Sequence, residues 1–335
     1  MISKGYKKII NYIKNNYKLL IIVGIILFVG LFRLPYNIYS GGGIIDIADK
    51  IEIEDEYREE GSFNMAYVRT IQATIPTYLL SYIFNWERES INSVKIDEND
   101  NEHDMWEREL MYLEEANNNA IINAYTKAGE NIKINKEILQ ILFVDKNSDT
   151  SLEAGDTIIS IDGTIIRTFS DIDGVLSNHE VGDKLDIKYL RDGKEKDGYA
   201  VVRKMDDTKK IGIYLVQTYE YDVDKKIKLN FNNKEGGSSG GFMLSLAIYN
   251  RLVKEDLTKG RKIAGTGTID RDGNVGMIGG IKYKVIGANS GKADIFFVPE
   301  QNYEEAIKFK EEKGYDLNIV KVKTLDDAID YLRRN

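Results

Sequence analysis

The stretch Lys234-Glu235-Gly236-Gly237-Ser238-Ser239-Gly240-Gly241-Phe242-Met243-Leu244-Ser245-Leu246 constrains this chain more than any other. Two serines sit among glycines and run straight into an apolar segment at helical spacing. Taken alone, Gly-Gly-Ser-Ser-Gly-Gly is linker composition. A flexible linker does not lead into Phe242, Met243, Leu246 and Leu252, so the reading is a glycine-rich loop opening a buried helix. A serine at that place gains from the helix dipole and the free N–H groups of the first turn, which favour a developing negative charge. Glycines let a substrate backbone approach closely and permit φ values that other residues avoid.

Composition bounds the rest. The 335 residues are 42% hydrophobic with 3 prolines, enough for one large core or two modest domains. A net charge of −8 argues against a nucleic-acid partner. Without cysteine there is no disulfide, thiol nucleophile or thiolate metal site. With His103 and His179 the only histidines, a histidine-rich metal centre is not expected either. No metal and no cofactor are predicted.

The N-terminus is basic. Residues 1–18 carry Lys4, Lys7, Lys8, Lys14 and Lys18 and no acid, and Leu19 to Phe32 is apolar throughout. That apolar run spans only ~21 Å as a helix, against a hydrocarbon core of ~30 Å. Extending it from Tyr17 to Tyr36 is long enough, with Lys18 and Arg33 able to snorkel and Tyr17, Tyr36 and Tyr39 as interfacial anchors. The lysine excess predicts a single-pass membrane anchor over 19–39 with a cytoplasmic N-terminus (1–18) and everything later outside the cell. A cleaved signal peptide is the rival, but no A-x-A-like site precedes Ser40-Gly41-Gly42-Gly43, and residues 40–60 read as a linker.

Beyond it, Phe63 to Ile71 reads as a strand, and the apolar, aromatic stretch Thr77 to Trp86 as a buried helix rather than one on a bilayer surface. Glu87 to Glu102 is a polar loop. Asp104 with Glu107 reads as a capping box, opening a helix that an apolar stripe carries to Gly129. Glu114 and Glu115 on that helix read as a solvated face.

Strands are expected at Ile138–Val144, Ile158–Ile161, Lys184–Leu190 and Lys196–Val202, the last two joined at Asp192-Gly193, with a short helix near Ser170–Leu176. After these, strand and helix alternate: Ile227–Phe231, helix Gly240–Leu252, Ile263–Ile269, a helix from Ile281, Ile295–Val298, helix Tyr303–Glu312, Leu317–Val322, and a helix capped at Thr324. The stretch Leu152 to Gly163 follows L-x-x-G-D-x-I-x-x-I-D-G and resembles a PDZ domain, a likeness covering roughly 131–204. It departs from that family in lacking a Gly-Leu-Gly-Phe-like loop, so peptide binding and a purely structural role both stay open.

Gly237-x-Ser239-x-Gly241 fits a nucleophile elbow, but both histidines precede the serine. A His-Asp-Ser order through His103 is formally open, although His103 sits in the acidic loop. A lysine is the other candidate base. Free lysine, with a pKa of ~10.4, is protonated, and only desolvation makes it a base. Gly279-Gly280-Ile281-Lys282-Tyr283-Lys284 offers two, and if Ile281, Val285 and Ala288 mark a buried helix face, Lys284 lies nearer to it than Lys282.

Gly236 to Leu246, Thr266-Gly267-Thr268-Ile269, and Gly273-x-Val275-x-x-Ile278-Gly279-Gly280-Ile281-Lys282-x-Lys284 resemble, in that order, the proteolytic domain of Lon proteases. The resemblance points in particular to the membrane-anchored, ATP-independent Lon-like proteases of Gram-positive bacteria that carry a PDZ domain. It implies an α+β chain: an N-terminal transmembrane helix, then a Lon-type proteolytic domain (61–129 and 206–335) with an inserted PDZ-like, β-rich domain (130–205).

It further implies Ser239 as nucleophile, Lys284 as its base and Thr266 orienting the lysine. Gly236, Gly237, Ser238 and Gly240 are the oxyanion and substrate loop. Ser238 and Gly240 stand where the family pattern has proline and alanine. The implied partner is a peptide or protein substrate, and Lon-type domains often form rings, so a homo-oligomer is implied as well. No G-x-x-x-x-G-K-[ST] occurs in these residues, so no nucleotide site is expected. The rival from another class is a membrane-tethered PDZ scaffold with a degenerate protease fold, and a general serine esterase is disfavoured by the missing downstream histidine.

The charge asymmetry is directly testable. On intact cells stripped of their wall, external protease is expected to digest the chain beyond Gly43, whereas full protection of that region overturns the assigned orientation.

Overall fold

The computed structural model describes residues 2–95, 102–205 and 207–335. Part of the expected polar loop (96–101) and the Asp206 boundary lie outside the described residues. The elements begin with α1 (Ile2–Leu31), β1 (Arg33–Asp46), β2 (Ile51–Ile53), β3 (Ser62–Thr74), α2 (Ile75–Ile83), β4 (Glu87–Ser90), α3 (Ile91–Val94) and α4 (Glu102–Ala128). Next come β5 (Ile132–Val144), β6 (Thr157–Ile161), β7 (Thr164–Ile165), α5 (Phe169–Ser177), β8 (Lys184–Arg191), β9 (Lys194–Val201), β10 (Arg203–Met205), β11 (Thr208–Lys210) and β12 (Ile213–Val223). The remainder is β13 (Ile227–Leu229), α6 (Gly241–Leu252), β14 (Lys262–Gly265), β15 (Thr268–Ile269), β16 (Val275–Gly276), α7 (Ile281–Ser290), β17 (Ile295–Pro299), α8 (Glu300–Lys313), β18 (Ile319–Val322) and α9 (Leu325–Arg334).

The chain divides into two units. The smaller holds α1, β1 as far as Gly41, and the segment from Val68 through α3. Its long helix contains one stretch, Lys8–Leu31, long and apolar enough to cross a membrane. The helix thus starts earlier than the expected anchor and stops at Leu31, so Tyr36 and Tyr39 lie on a strand that pairs antiparallel with β4. Pro76 sits in the first turn of α2, and the Thr77 hydroxyl accepts the Thr74 N–H at 2.7 Å, which fixes where that helix starts. The expectation that Thr77–Trp86 is buried fails: among residues of α2 only Ser81 is buried, while Leu79 and Ile83 are 60% and 72% exposed.

The larger unit starts at Gly42. Of residues 40–60, expected as a linker, 40–53 form the end of β1, a 3-10 turn (Ala48–Lys50) and β2, and 54–60 are turn and irregular chain. The glycines there mark close approach, because a Cβ at Gly42 would collide with the backbone and ring of Tyr67. Within this unit the main sheet runs β18-β17-β14-β3-β1, and β18, β17, β14 and β3 are parallel. Side chains alternate across it with the strand period. Ile263 and Phe297 point to one core with Phe63, Tyr125, Phe242 and Leu246, while Ala264 and Phe296 point to another with Ile281, Val285 and Ala288. Helix α6 therefore covers one face and α7 the other, and every residue of β17 is buried, as an inner parallel strand requires. Because Phe63 and Tyr125 share a core with Phe242 and Leu332, the segments before β5 and after β12 fold together.

Between them stands a second sheet, β12-β5-β6-β8-β9, with its own core of Leu139, Ile141, Ile161, Leu185 and Ile187. Asp192 and Gly193 close the β8–β9 hairpin with φ of 53° and 71°, the left-handed pair a tight two-residue turn needs. In L-x-x-G-D the acid is structural: Asp156 is buried and accepts from Arg191 Nε and Nη2 at 2.8 and 2.7 Å. Strand β12, absent from the sequence expectation, pairs antiparallel with β5 along its whole length. Its N–H groups at Gln217 and Tyr219 go to Glu115 Oε1 (3.1 Å) and Asn118 Oδ1 (2.7 Å) on α4. Glu115 is thus no solvated residue; it satisfies a strand edge, and burial raises its carboxyl pKa. His103 belongs to the first turn of α4 rather than to a loop, and α4 begins two residues before Asp104, which is not its cap.

Arg251, at the end of α6, is 7% exposed and donates to Ile51 O (3.1 Å), Glu56 (3.1 Å) and Glu59 (3.2 Å). Removing one partner of a buried pair leaves the other charge unmatched. Arg251→Ala is expected to lower unfolding free energy by roughly 3–5 kcal/mol in denaturant melts, and a loss under 1 kcal/mol would contradict this role.

Candidate active site

The loop before α6 is held at three places. Lys50 Nζ pairs with Glu235 Oε1 at 2.7 Å, fixing its stem. Gly237 has φ of +86°, a conformation costly for any side chain, and its N–H donates to Glu109 O on α4 at 2.9 Å. A Cβ at Gly236 would press on Trp106 and Glu109. At its far end the Gly241 N–H donates to Ser238 O at 3.1 Å as α6 begins. All residues of α6 are buried, which is why the apolar run reads as it does.

Ser239 lies just before this helix, half-buried. Its carbonyl oxygen accepts from the Gly267 N–H at 2.8 Å and from Thr266 Oγ1 at 3.1 Å. Thr266 immediately follows β14 and is fully buried, and its own N–H still donates to Phe297 O at 3.1 Å, so the sheet positions it. The same Thr266 hydroxyl accepts from Lys284 Nζ at 2.9 Å. Ser239, Thr266 and Lys284 are thereby brought into one hydrogen-bonded chain, from lysine amine to threonine hydroxyl to serine carbonyl.

Lys284 is 4% exposed. It stands on α7 because Gly280, at φ +67°, turns the chain into the helix and its carbonyl accepts the Tyr283 N–H. Desolvation lowers the Lys284 pKa to about 7, and the amine's hydrogen-bond partner among the described residues is a neutral hydroxyl. Lys282, two residues earlier, is exposed and pairs with Glu305 at 3.7 Å. The weak preference for Lys284 from helical spacing becomes a large difference in environment.

Of the loop residues named from sequence, the Gly237 N–H is already committed to Glu109. Those of Gly236, Ser238, Ser239 and Gly240 make no backbone hydrogen bond among the described residues. His103 stands beside Glu107 at 3.7 Å, and His179 packs in the second sheet's domain with Asp162 at 3.0 Å. The support from Trp106 and Glu109 carries no local sequence signal, for it exists only once α4 packs beside the loop.

The family model for the Lon protease (S16) C-terminal proteolytic domain matches residues 198–333, and that for a PDZ domain matches 126–198. The chain carries a Lon-type proteolytic domain and a PDZ domain. The Lon protease of Aster yellows witches'-broom phytoplasma (strain AYWB) is 32% identical over 92 residues, covering 28% of this chain and 11% of that protein. The Lon protease of Campylobacter concisus (strain 13826) is 26% identical over 213 residues, 58% of this chain and 26% of that protein. The chain thus spans between about a tenth and a quarter of the length of these two relatives. Among solved structures, the PDZ domain of the SdrC-like protein from Listeria monocytogenes is 27% identical, covers 25% of this chain and 93% of that one, and has a TM-score of 0.23. All the glycine-loop, Thr266 and Lys284 residues lie inside the Lon-type match.

A buried ammonium weakens the fold that holds it. Lys284→Met is expected to be more stable than wild type at pH 7. The unfolded lysine (pKa ~10.4) holds its proton through a range where the native one has lost it, so wild-type stability rises with pH between ~7 and ~10.4. The advantage of the methionine variant should therefore be largest at and below pH 7 and shrink toward pH 10. Melting curves across that range check this, and a gap independent of pH would count against a desolvated amine.

Proposed function

We propose that the protein is a membrane-anchored, ATP-independent serine endopeptidase with a Ser239–Lys284 dyad, acting outside the cytoplasm on peptides or flexible, unfolded segments. One observation carries this reading: a lysine amine, desolvated to a pKa of about 7, tied through Thr266 to the residue that bears the candidate nucleophile. A structural lysine is ordinarily exposed or paired with an acid. This one is neither, which suits a group that must accept a proton near neutral pH.

In the proposed reaction the Ser239 hydroxyl attacks the peptide carbonyl while neutral Lys284 takes its proton. The amine then passes that proton to the leaving amino group; water, deprotonated in the same way, attacks the acyl carbonyl, and Ser239 Oγ leaves, taking the proton back from Lys284. Of the loop Gly236, Gly237, Ser238, Gly240, the N–H groups of all but Gly237, together with the Ser239 N–H, are donors available to the oxyanion near the positive end of α6. Thr266 holds the amine and the serine backbone together and takes no proton itself. Independence of ATP rests on the lack of a phosphate-binding glycine motif in these 335 residues. The anchor rests on α1, and the orientation on its lysines. A homo-oligomeric ring belongs to the same reading.

A PDZ scaffold with an inert protease fold is the competing reading, and the buried lysine argues against it, since an inert fold has no reason to retain so costly a group. Ser239→Ala and Lys284→Ala are each expected to abolish hydrolysis of an unfolded substrate, by similar factors because the two act as a unit. Ser238→Ala and Lys282→Ala should retain much of it, and Thr266→Val should fall between. The wild-type rate should rise with pH through an apparent pKa near the lowered lysine value of about 7. Wild-type-level activity in Ser239→Ala would falsify the dyad, and a folded wild type inert on every unfolded substrate would favour the scaffold.

A further inference from the structure

The surface of α2 has no part in the proposed chemistry, and it is built inside out. From Ile75 through Trp86 there is no charged residue. The polar Ser81 is the buried side chain; its hydroxyl donates to Tyr78 O at 2.6 Å and accepts from Arg88 Nη1 at 3.0 Å. The apolar side chains point outward: Leu79, Tyr82, Ile83 and Phe84 are each more than half exposed. In water such a helix would rotate its apolar face inward, or be selected against as an aggregation site.

Three neighbouring features say what covers it. First, α2 touches α1, the one helix among the described residues long and apolar enough to span a bilayer. Second, the helix is ringed by the side chains that favour the membrane–water boundary. Tyr36 and Tyr78 rings lie 5.1 Å apart, Phe84 stacks on Trp86 at 5.1 Å, and the Arg88 guanidinium sits 3.9 Å over the Tyr82 ring. Third, the Arg33 guanidinium, just past the end of α1, donates to Gln72 Oε1 at 2.9 Å, so β3 leads into α2 from the level at which the apolar span ends. A second copy of the chain is a poorer occupant, because nine residues of helix offer far less than the ~800 Å² per partner of a specific interface.

We propose that α2 is a second membrane contact: a short helix lying in the headgroup layer beside the Arg33 end of α1, with Leu79, Ile83 and Phe84 dipped into the acyl region. This rests on α1 being a membrane anchor, as read above, but adds a site that α1 alone does not require. The occupant is lipid. Uncharged and aromatic, the helix is held by apolar burial and interfacial rings rather than by anionic headgroups.

The absence of cysteine makes the test direct, since any introduced thiol is unique. Full-length Leu79→Cys, Ile83→Cys, Ile26→Cys and Asp192→Cys proteins are each labelled with an environment-sensitive fluorophore and reconstituted into phosphatidylcholine–phosphatidylglycerol vesicles. Lipids with a shallow doxyl quencher should quench positions 79 and 83 strongly, lipids with a deep one position 26, and neither should affect 192. Ile26 quenched with 79 and 83 open to aqueous iodide overturns this inference and leaves the anchor standing. Position 26 unquenched while 79 and 83 are quenched removes the anchor alone. Labels at 79 and 83 that are shielded from iodide yet unquenched by either lipid, with shielding that grows with protein-to-lipid ratio, identify a second copy as the occupant and overturn it too.

Discussion

Taking the Lys284 amine out of water imposes conditions on everything packed around it. A desolvated ammonium is unfavourable by several kcal/mol unless matched, and a matching carboxylate would restore the ordinary pKa and end its use as a base. The structure supplies a neutral hydroxyl instead, at 2.9 Å. That choice works only if the hydroxyl cannot turn away. Thr266 is fixed by its backbone bond to Phe297 at one side and by the Ser239 carbonyl at the other. The rigidity resides in the sheet, whose inner strand β17 is entirely buried.

The sheet also explains how a serine and a lysine 45 residues apart come to be linked through one threonine hydroxyl. Alternation along β14 and β17 sends α6 to one face and α7 to the other. Residues carried on opposite faces can be bridged only beyond the ends of the strands, which is where β14 stops and Thr266 begins. Parallel α/β sheets gather their sites at the carboxyl ends of strands for this reason. Gly265 belongs to the same geometry, since a side chain there would run into Met243 of α6 and Phe297 of β17.

Much of this was legible in the sequence where the signal was local. The apolar run after Gly240-Gly241, the left-handed pair Asp192-Gly193 and the Thr324 cap each state their own conformation. Helical spacing separated Lys284 from Lys282 only weakly, because angle on a wheel says nothing about depth; burial came from the sheet on the inner side. What could not be read was tertiary. Gly42-Gly43 looked like a linker until Tyr67 packed against it. Glu115 looked solvated until β12 needed an acceptor. The apolar stretch in α2 looked like core, since composition reports that a helix shuns water without saying whether protein or lipid replaces it.

One helix joins the two folded parts of the larger unit. The β5–β12 ribbon starts in the Lon-type core, where Ile132 and Val223 pack, and ends in the PDZ core, where Leu139 and Ile141 pack. Midway along the ribbon, its outer N–H groups at Gln217 and Tyr219 are taken by Glu115 and Asn118 of α4. Earlier on that helix, the Glu109 carbonyl takes the Gly237 N–H, and Trp106 lies against Gly236. The same rigid element therefore sets the strand that carries the PDZ domain and the loop that carries Ser239. An α-helix changes length or bends only at a distortion such as proline, and α4 contains none, so the spacing between these two attachments is fixed by its backbone. The glycine loop takes its conformation from α4 because its own residues, chosen for close approach, have too few side-chain contacts to hold one.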